Sequence, residues 1–383
     1  MTDPFGFDDV DPGWLAAKAG AKWHGHPGML NAWVADMDFP PAAVVTDAVR
    51  ARLDANDLGY PDWGWPRSRS QVVPLFAERA ARRYGWDVPV DEVREFCDVV
   101  QAVQLALMLA TEPGDAVVLH TPSYPPLWRA LRDMGRRQID VPWVDGAFDH
   151  DALDAQLASQ PAKVLLLCHP HNPTGHRFTR AELEQLAGIA ERHDLVIISD
   201  EIHADLTLGG PHIPIASISA ETAARTVTVH SASKAFNLAG MRHAIAHVGA
   251  AVVRDRIGTL PDHLLGQVNL LAATATEAAW TQGDAWLDAV KVCFDRNRRL
   301  LADLLSEHLP LVRYTMPDAT YLAWLDCSAL GLDGDEPFEH FRSRGVQLSP
   351  GLDFGPLGAG HVRLNMATSA SMLERIVTTM ASP

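Results

Sequence analysis

Thr226-Val227-Thr228-Val229-His230-Ser231-Ala232-Ser233-Lys234-Ala235-Phe236-Asn237-Leu238-Ala239-Gly240 is the stretch on which the reading of this chain turns. Its first five residues form a short β-branched run of the kind that becomes a buried strand. Lys234 follows at once, between hydroxyls and a small-residue turn. In α/β sheets the ligand sits beyond the carboxyl ends of the strands, so Lys234 falls where chemistry is done. Desolvation would lower its pKa and make the amine a nucleophile, with the hydroxyls of Ser231 and Ser233 beside it to hold an anion. Taken alone, a lysine in this position is equally a surface residue.

The same pattern recurs on the N-terminal side. Ala116 to His120, Lys163 to Cys168 and Leu195 to Ser199 read as further buried strands, and Val99 to Leu109 and Arg180 to His193 have helical spacing. That alternation predicts an α/β fold, a mostly parallel sheet covered by helices on both faces. From about residue 276 the pattern changes to a long charged helix over Asp284 to His308, then to strands at Tyr321 to Asp326 and His361 to Asn365. A chain of 383 residues exceeds one ordinary core. The expected organisation is an N-terminal segment, 1–50, that joins a small domain, a large domain over 51–280, and the small C-terminal domain over 281–383.

Composition excludes several classes. A formal charge of -16 without a basic stripe argues against nucleic-acid partners, which require clustered Lys and Arg. Cys97, Cys168, Cys293 and Cys327 have neither CxxC nor secreted-domain spacing, so reduced thiols are expected rather than a disulfide framework or zinc site. The acidic N-terminus lacks the basic and apolar regions of a signal peptide, and no apolar run is of membrane-spanning length. A cytoplasmic protein without membrane partners is the expectation.

Two other strand ends carry unusual residues. Asp200 opens Asp-Glu-Ile-His; such an Asp either caps a helix or stands as counter-ion to a protonated ring nitrogen. Asn172-Pro173-Thr174-Gly175 is by itself a turn. His169 and His171 form an HxH, but no third ligand stands at a recognisable spacing and no metal is expected.

Asn172, Asp200 and Lys234, in this chain order, resemble the fold-type I pyridoxal-phosphate (PLP) enzymes, the aspartate aminotransferase superfamily. The resemblance covers nearly the whole chain. It implies a large domain with a mostly parallel seven-stranded sheet between helices and a smaller α+β domain. It also implies PLP as cofactor, with Lys234 as the Schiff-base lysine, Asp200 at the pyridine nitrogen and Tyr124 of Thr-Pro-Ser-Tyr stacked on the ring. Arg363 in Val-Arg-Leu-Asn matches the residue that clamps the substrate α-carboxylate, a task suited to a bidentate guanidinium. Asn172 is implied at both cofactor and substrate.

The family holds the cofactor phosphate at a helix N-terminus, where free amides and a partial positive charge favour an anion. The matching residues are Val99, Val100 and Gln101, joined by Ser231, Ser233 and Arg242. Tyr60 matches a tyrosine that in relatives reaches the phosphate of the neighbouring subunit, which implies a homodimer with active sites at its interface. Relatives commonly carry Gly before the two valines. This chain has Asp98, so either that carboxylate points away from the phosphate or the donors lie one residue over.

Two segments narrow the branch. Trp33-Val34-Ala35-Asp36-Met37-Asp38-Phe39-Pro40 looks like the signature of the cystathionine β-lyase-like carbon–sulfur lyases and implies Ala35 and Asp36 at the substrate. Asp200-Glu201-Ile202-His203-Ala204-Asp205-Leu206, followed by Pro211-His212-Ile213-Pro214, resembles the same branch. His203 stands where aminotransferases more often place a Tyr donor to the cofactor's phenolic oxygen. The implied activity is α,β-elimination from cystathionine or another S-substituted cysteine to a thiol, pyruvate and ammonia. An aminotransferase shares the early steps and stays open as the alternative; Arg242 is common in that group. A regulatory binding protein retaining the fold is the third reading. Trp33, Trp63 and Trp65 are expected either in the pocket wall or in packing.

Overall fold

Thr226–His230 is a strand with all five residues buried, and the sheet around it sets the architecture. A computed structural model describes residues 3–60, 70–261 and 264–382. In the large sheet the strands run in the order Val93–Phe96, Ala244–Val248, Thr226–His230, Val196–Asp200, Val164–Cys168, Ala116–Thr121, Arg137–Val144 and Ala147–Phe148. The five from Thr226–His230 to Arg137–Val144 are parallel. Ala244–Val248 runs antiparallel to Thr226–His230, and Val93–Phe96 antiparallel to Ala244–Val248.

The expected α/β class and mostly parallel sheet are present, but the described sheet has eight strands, not seven. The extra one is Ala147–Phe148, folded back on Arg137–Val144. Asp145 and Gly146 make the turn, with φ of 49° and 85°; positive φ at both central positions is the mark of a type I′ hairpin, and Asp-Gly supplies it.

Helices cover both faces. Val99–Ala110 buries Val99, Ala102, Val103 and Ala106 against one face, together with Leu127 and Leu131. On the other lie His150–Leu157 and Arg180–Arg192. The latter starts at a capping box: Thr179 Oγ1 accepts from Glu182 N, and Glu182 accepts from Thr179 N.

A four-stranded antiparallel sheet, ordered Arg313–Tyr314, Leu322–Asp326, His361–Asn365 and Ser349–Pro350, packs with the helices Asp284–His308 and Ala370–Met380. Leu30–Asn31 pairs in parallel with Val346–Gln347. The turn after Val164–Cys168 meets the segment leading into Leu322–Asp326 at Gly175. Its φ is 70°, and an added Cβ would stand 2.2 Å from Pro317 Cβ and 2.9 Å from the Ala319 carbonyl oxygen. Only glycine permits that approach; the Gly175 carbonyl accepts from the amides of Asp318 and Ala319 at 3.1 and 3.0 Å. No helix of the described residues is long and apolar enough to cross a membrane.

Candidate active site

Beyond the carboxyl ends of the central strands lies a cavity of about 320 Å³, lined by residues of both sheets and of the Trp33–Ala35 segment. Lys234 enters it three residues after Ser231, whose hydroxyl donates to the His243 carbonyl at 2.6 Å and accepts from Ser233 N at 3.0 Å. Lys234 Nζ donates to the carbonyl oxygen of Ala35 at 2.9 Å. Tyr321 Oη donates to the same oxygen, also at 2.9 Å. Burial lowers the Lys234 pKa, against the pull of Asp36. The turn that follows is pinned by Asn237, at φ 58°. Its Oδ1 accepts from Met37 N at 3.0 Å, and its Nδ2 donates to the carbonyls of Met37 and Phe39.

Asp200 ends its strand buried and accepts from Ile202 N at 3.1 Å. Burial pushes its carboxyl up to about 7, against that amide and the positive charge of Lys234. His203, also buried, lines the cavity, and burial pushes its imidazole down to about 3. Tyr124 lines the wall from the start of the helix Pro125–Asp133.

Arg363 is held from four sides. Nη1 donates to Asn172 Oδ1 at 3.0 Å; Nη2 donates to the Trp33 carbonyl at 2.8 Å and to Ser349 Oγ at 3.1 Å. The ring of Phe354 lies 4.8 Å from its guanidinium carbon. Burial lowers its pKa to about 10, which leaves it a cation at neutral pH. A fixed, desolvated guanidinium is a carboxylate receptor.

At the other end, Val99 and Val100 begin their helix at the cavity wall, with Ser233 and Arg242 nearby. Asp98 lines the cavity rather than pointing away. It is the helix N-cap: Oδ1 accepts from Gln101 N at 2.8 Å, and Oδ2 pairs with Arg242 at 2.5 Å. The carboxylate is thereby neutralised in place, and the first two helix amides are left for an outside acceptor.

Not every residue expected at the site lines it. Gln101 is turned away: its side chain accepts from Cys97 N and donates to the Leu265 carbonyl. Ser231 is spent beneath the turn, Asp36 borders a smaller cavity behind Asn237, and Tyr60 stands beside Asn269 on the surface, 86% exposed. Trp63 and Trp65 lie outside the described residues. His169 and His171 are buried and bonded to the Ile213 carbonyl and the Thr174 hydroxyl. Conversely, Ser349, Phe354 and Tyr321 were not anticipated, although the Pro350-Gly351 turn beside the first two is a visible signal.

These residues fit PLP. A buried carboxylate raised to about 7 lacks a cation that a protonated ring nitrogen would supply. Two helix amides, a serine and an arginine suit a phosphate, and a desolvated lysine suits the aldehyde.

Residues 35–380 match the family model described as aminotransferase class I and II. The chain belongs to this family. Among relatives, the cystathionine beta-lyase PatB of Bacillus subtilis is 36% identical over 359 residues, 90% of each protein. Among solved structures, cystalysin from Treponema denticola, which contains a pyridoxal 5'-phosphate cofactor, matches with a TM-score of 0.90 at 27% identity over 98% of each chain. The PLP-bound C–S lyase from Staphylococcus hominis matches with a TM-score of 0.88 at 28% identity, again over 98% of each. The chain is therefore similar, along nearly its full length, to a cystathionine beta-lyase and to a C–S lyase.

Proposed function

We propose that this chain is a PLP-dependent carbon–sulfur β-lyase acting on an S-substituted cysteine. The observation that carries the reading is the placement of the Trp33–Pro40 segment. The segment that resembles the lyase branch is built into the cavity, where its carbonyls take Lys234 Nζ and Arg363 Nη2.

Bound PLP supplies an electron sink for the electrons left at the substrate α-carbon. Arg363 holds the α-carboxylate. Lys234, its pKa lowered by burial, removes the α-proton. Asp200 would serve as the counter-ion of a protonated ring nitrogen in bound PLP, and His203, kept neutral by burial, would offer a hydrogen-bond donor to the cofactor. The Cβ–S bond then breaks with its electron pair going to sulfur, which leaves as the thiol once protonated. Water converts the remaining three-carbon fragment to pyruvate and ammonium.

The working form is a homodimer in the cytoplasm. Four free cysteines support that compartment, and exposed Leu58, Tyr60 and Leu264 offer a contact surface. Pyruvate and ammonium released in equal amounts from L-cystathionine, with PLP and no keto acid, are the expected products. Strict dependence on an added keto acid would overturn the reading in favour of an aminotransferase.

A further inference from the structure

Three carboxylates line the cavity among the described residues: Asp98, Asp200 and Asp353. The first is tied to Gln101 N and Arg242, and the second is buried. Asp353 differs: about half of its side chain is exposed, and it pairs at 2.9 Å with Arg129, which is similarly exposed and stands just outside the cavity lining. Both sit on a clasp between the two halves of the site. In the turn Gly351–Phe354, the Phe354 carbonyl accepts from Ser123 N at 2.9 Å and the Asp353 carbonyl from Trp128 Nε1 at 3.0 Å.

The turn joins this pair to the α-carboxylate clamp. Phe354 packs on the Arg363 guanidinium, and Asp353, the residue before it, lines the same cavity as Arg363, with Arg129 paired to it. A substrate anchored at Arg363 therefore has charged groups of both signs within a short reach of its free end. A surface ion pair of this exposure contributes little, since water screens both charges, so parting it is cheap. Arg129 also keeps a second support when Asp353 is engaged elsewhere: its guanidinium lies 5.4 Å from the Trp128 ring.

We propose that Asp353 and Arg129 form a specificity pair for the departing thiol, Asp353 receiving an ammonium and Arg129 a carboxylate on its distal end. The pair selects thioethers whose leaving group is itself charged, above all one that carries a second amino-acid head and satisfies both partners at once. This assignment rests on the lyase reading and adds the two residues that choose among its substrates.

Crossed substitutions test it. The holoenzyme, Asp353→Asn and Arg129→Gln are each assayed with S-(2-aminoethyl)-L-cysteine and S-carboxymethyl-L-cysteine, and kcat/KM is expressed relative to S-methyl-L-cysteine. Asp353→Asn lowers the aminoethyl ratio about fivefold, the scale of an exposed ion pair, and does not lower the carboxymethyl ratio. Arg129→Gln does the reverse. Ratios that fall together in either variant, or that do not move, overturn the assignment. Should the wild type release no pyruvate from any of the three or from L-cystathionine, the lyase reading fails separately. The same ratios are then taken from dissociation constants in a titration of the cofactor's absorption band, where the crossed pattern stands or falls by itself.

Discussion

Lys234 Nζ and the carbonyl oxygen of Ala35 are hydrogen-bonded at 2.9 Å across 199 residues of chain. A backbone carbonyl carries no net charge and can accept from a protonated amine or a neutral one, so it aims the lysine in either state. Lys234→Ala is expected to lose the visible absorption of bound PLP and at least a hundredfold in kcat, the usual scale for a general base. Unchanged circular dichroism shows that the fold persists; a variant that keeps both the colour and turnover would remove Lys234 from the mechanism.

Arg363 makes three hydrogen bonds in a fixed fork. Lysine is a point charge and cannot reproduce them. Arg363→Lys should cost about 2 kcal/mol of transition-state binding, a thirtyfold loss in kcat/KM read mostly in KM. An unchanged KM for every amino acid tried would place the α-carboxylate elsewhere.

Asp200 gives a pH signature. Its carboxyl is raised from 3.8 to about 7 in the folded protein, so between those values the folded state holds a proton that the unfolded chain has released. Its contribution to stability is therefore full below about pH 4 and is lost as pH rises through 7, by about 4 kcal/mol at most. Protein stripped of PLP should lose thermal stability between pH 4 and 7 more steeply than Asp200→Asn. Added PLP should flatten the wild-type curve, because the ring nitrogen supplies the missing cation. Parallel curves for the two stripped proteins would contradict this account.

Gly175 and Gly85 separate strain from collision. Both have positive φ, but a Cβ at Gly85 meets nothing within 4 Å, whereas one at Gly175 meets Pro317 at 2.2 Å. Gly85→Ala is expected to cost about 1 kcal/mol in urea unfolding, and Gly175→Ala about 3 kcal/mol or more. Equal losses would show that the 317–319 segment yields freely.

The parts legible in sequence were those whose residue types carry the signal. Strands ending at Cys168, Asp200 and His230 are unbroken apolar or β-branched runs, and Lys234, Asp200 and Arg363 are chemically distinctive at their ends. Arg137–Val144 was harder, because exposed residues alternate with buried Ile139 and Val141 and Pro142 interrupts the run. The bonds that organise the cavity were hidden for another reason. Ala35 and Trp33 act through backbone carbonyls, which every residue possesses, and Ser349 and Tyr321 become informative only once distant strands pair. Gln101 was placed at the phosphate because helix N-termini bind anions; Asp98 occupies its amide first.

The stretch from Trp33 to Phe39 is gripped at both ends of the molecule's division. Lys234 and Asn237 hold it from the large sheet, while Arg363, Asn365, Ser349 and Tyr321 hold it from the small one. It works as a tie-rod: the carbonyl that aims the reactive amine is fixed by both sheets at once, so a shift of one sheet against the other would also disturb the aim of the base.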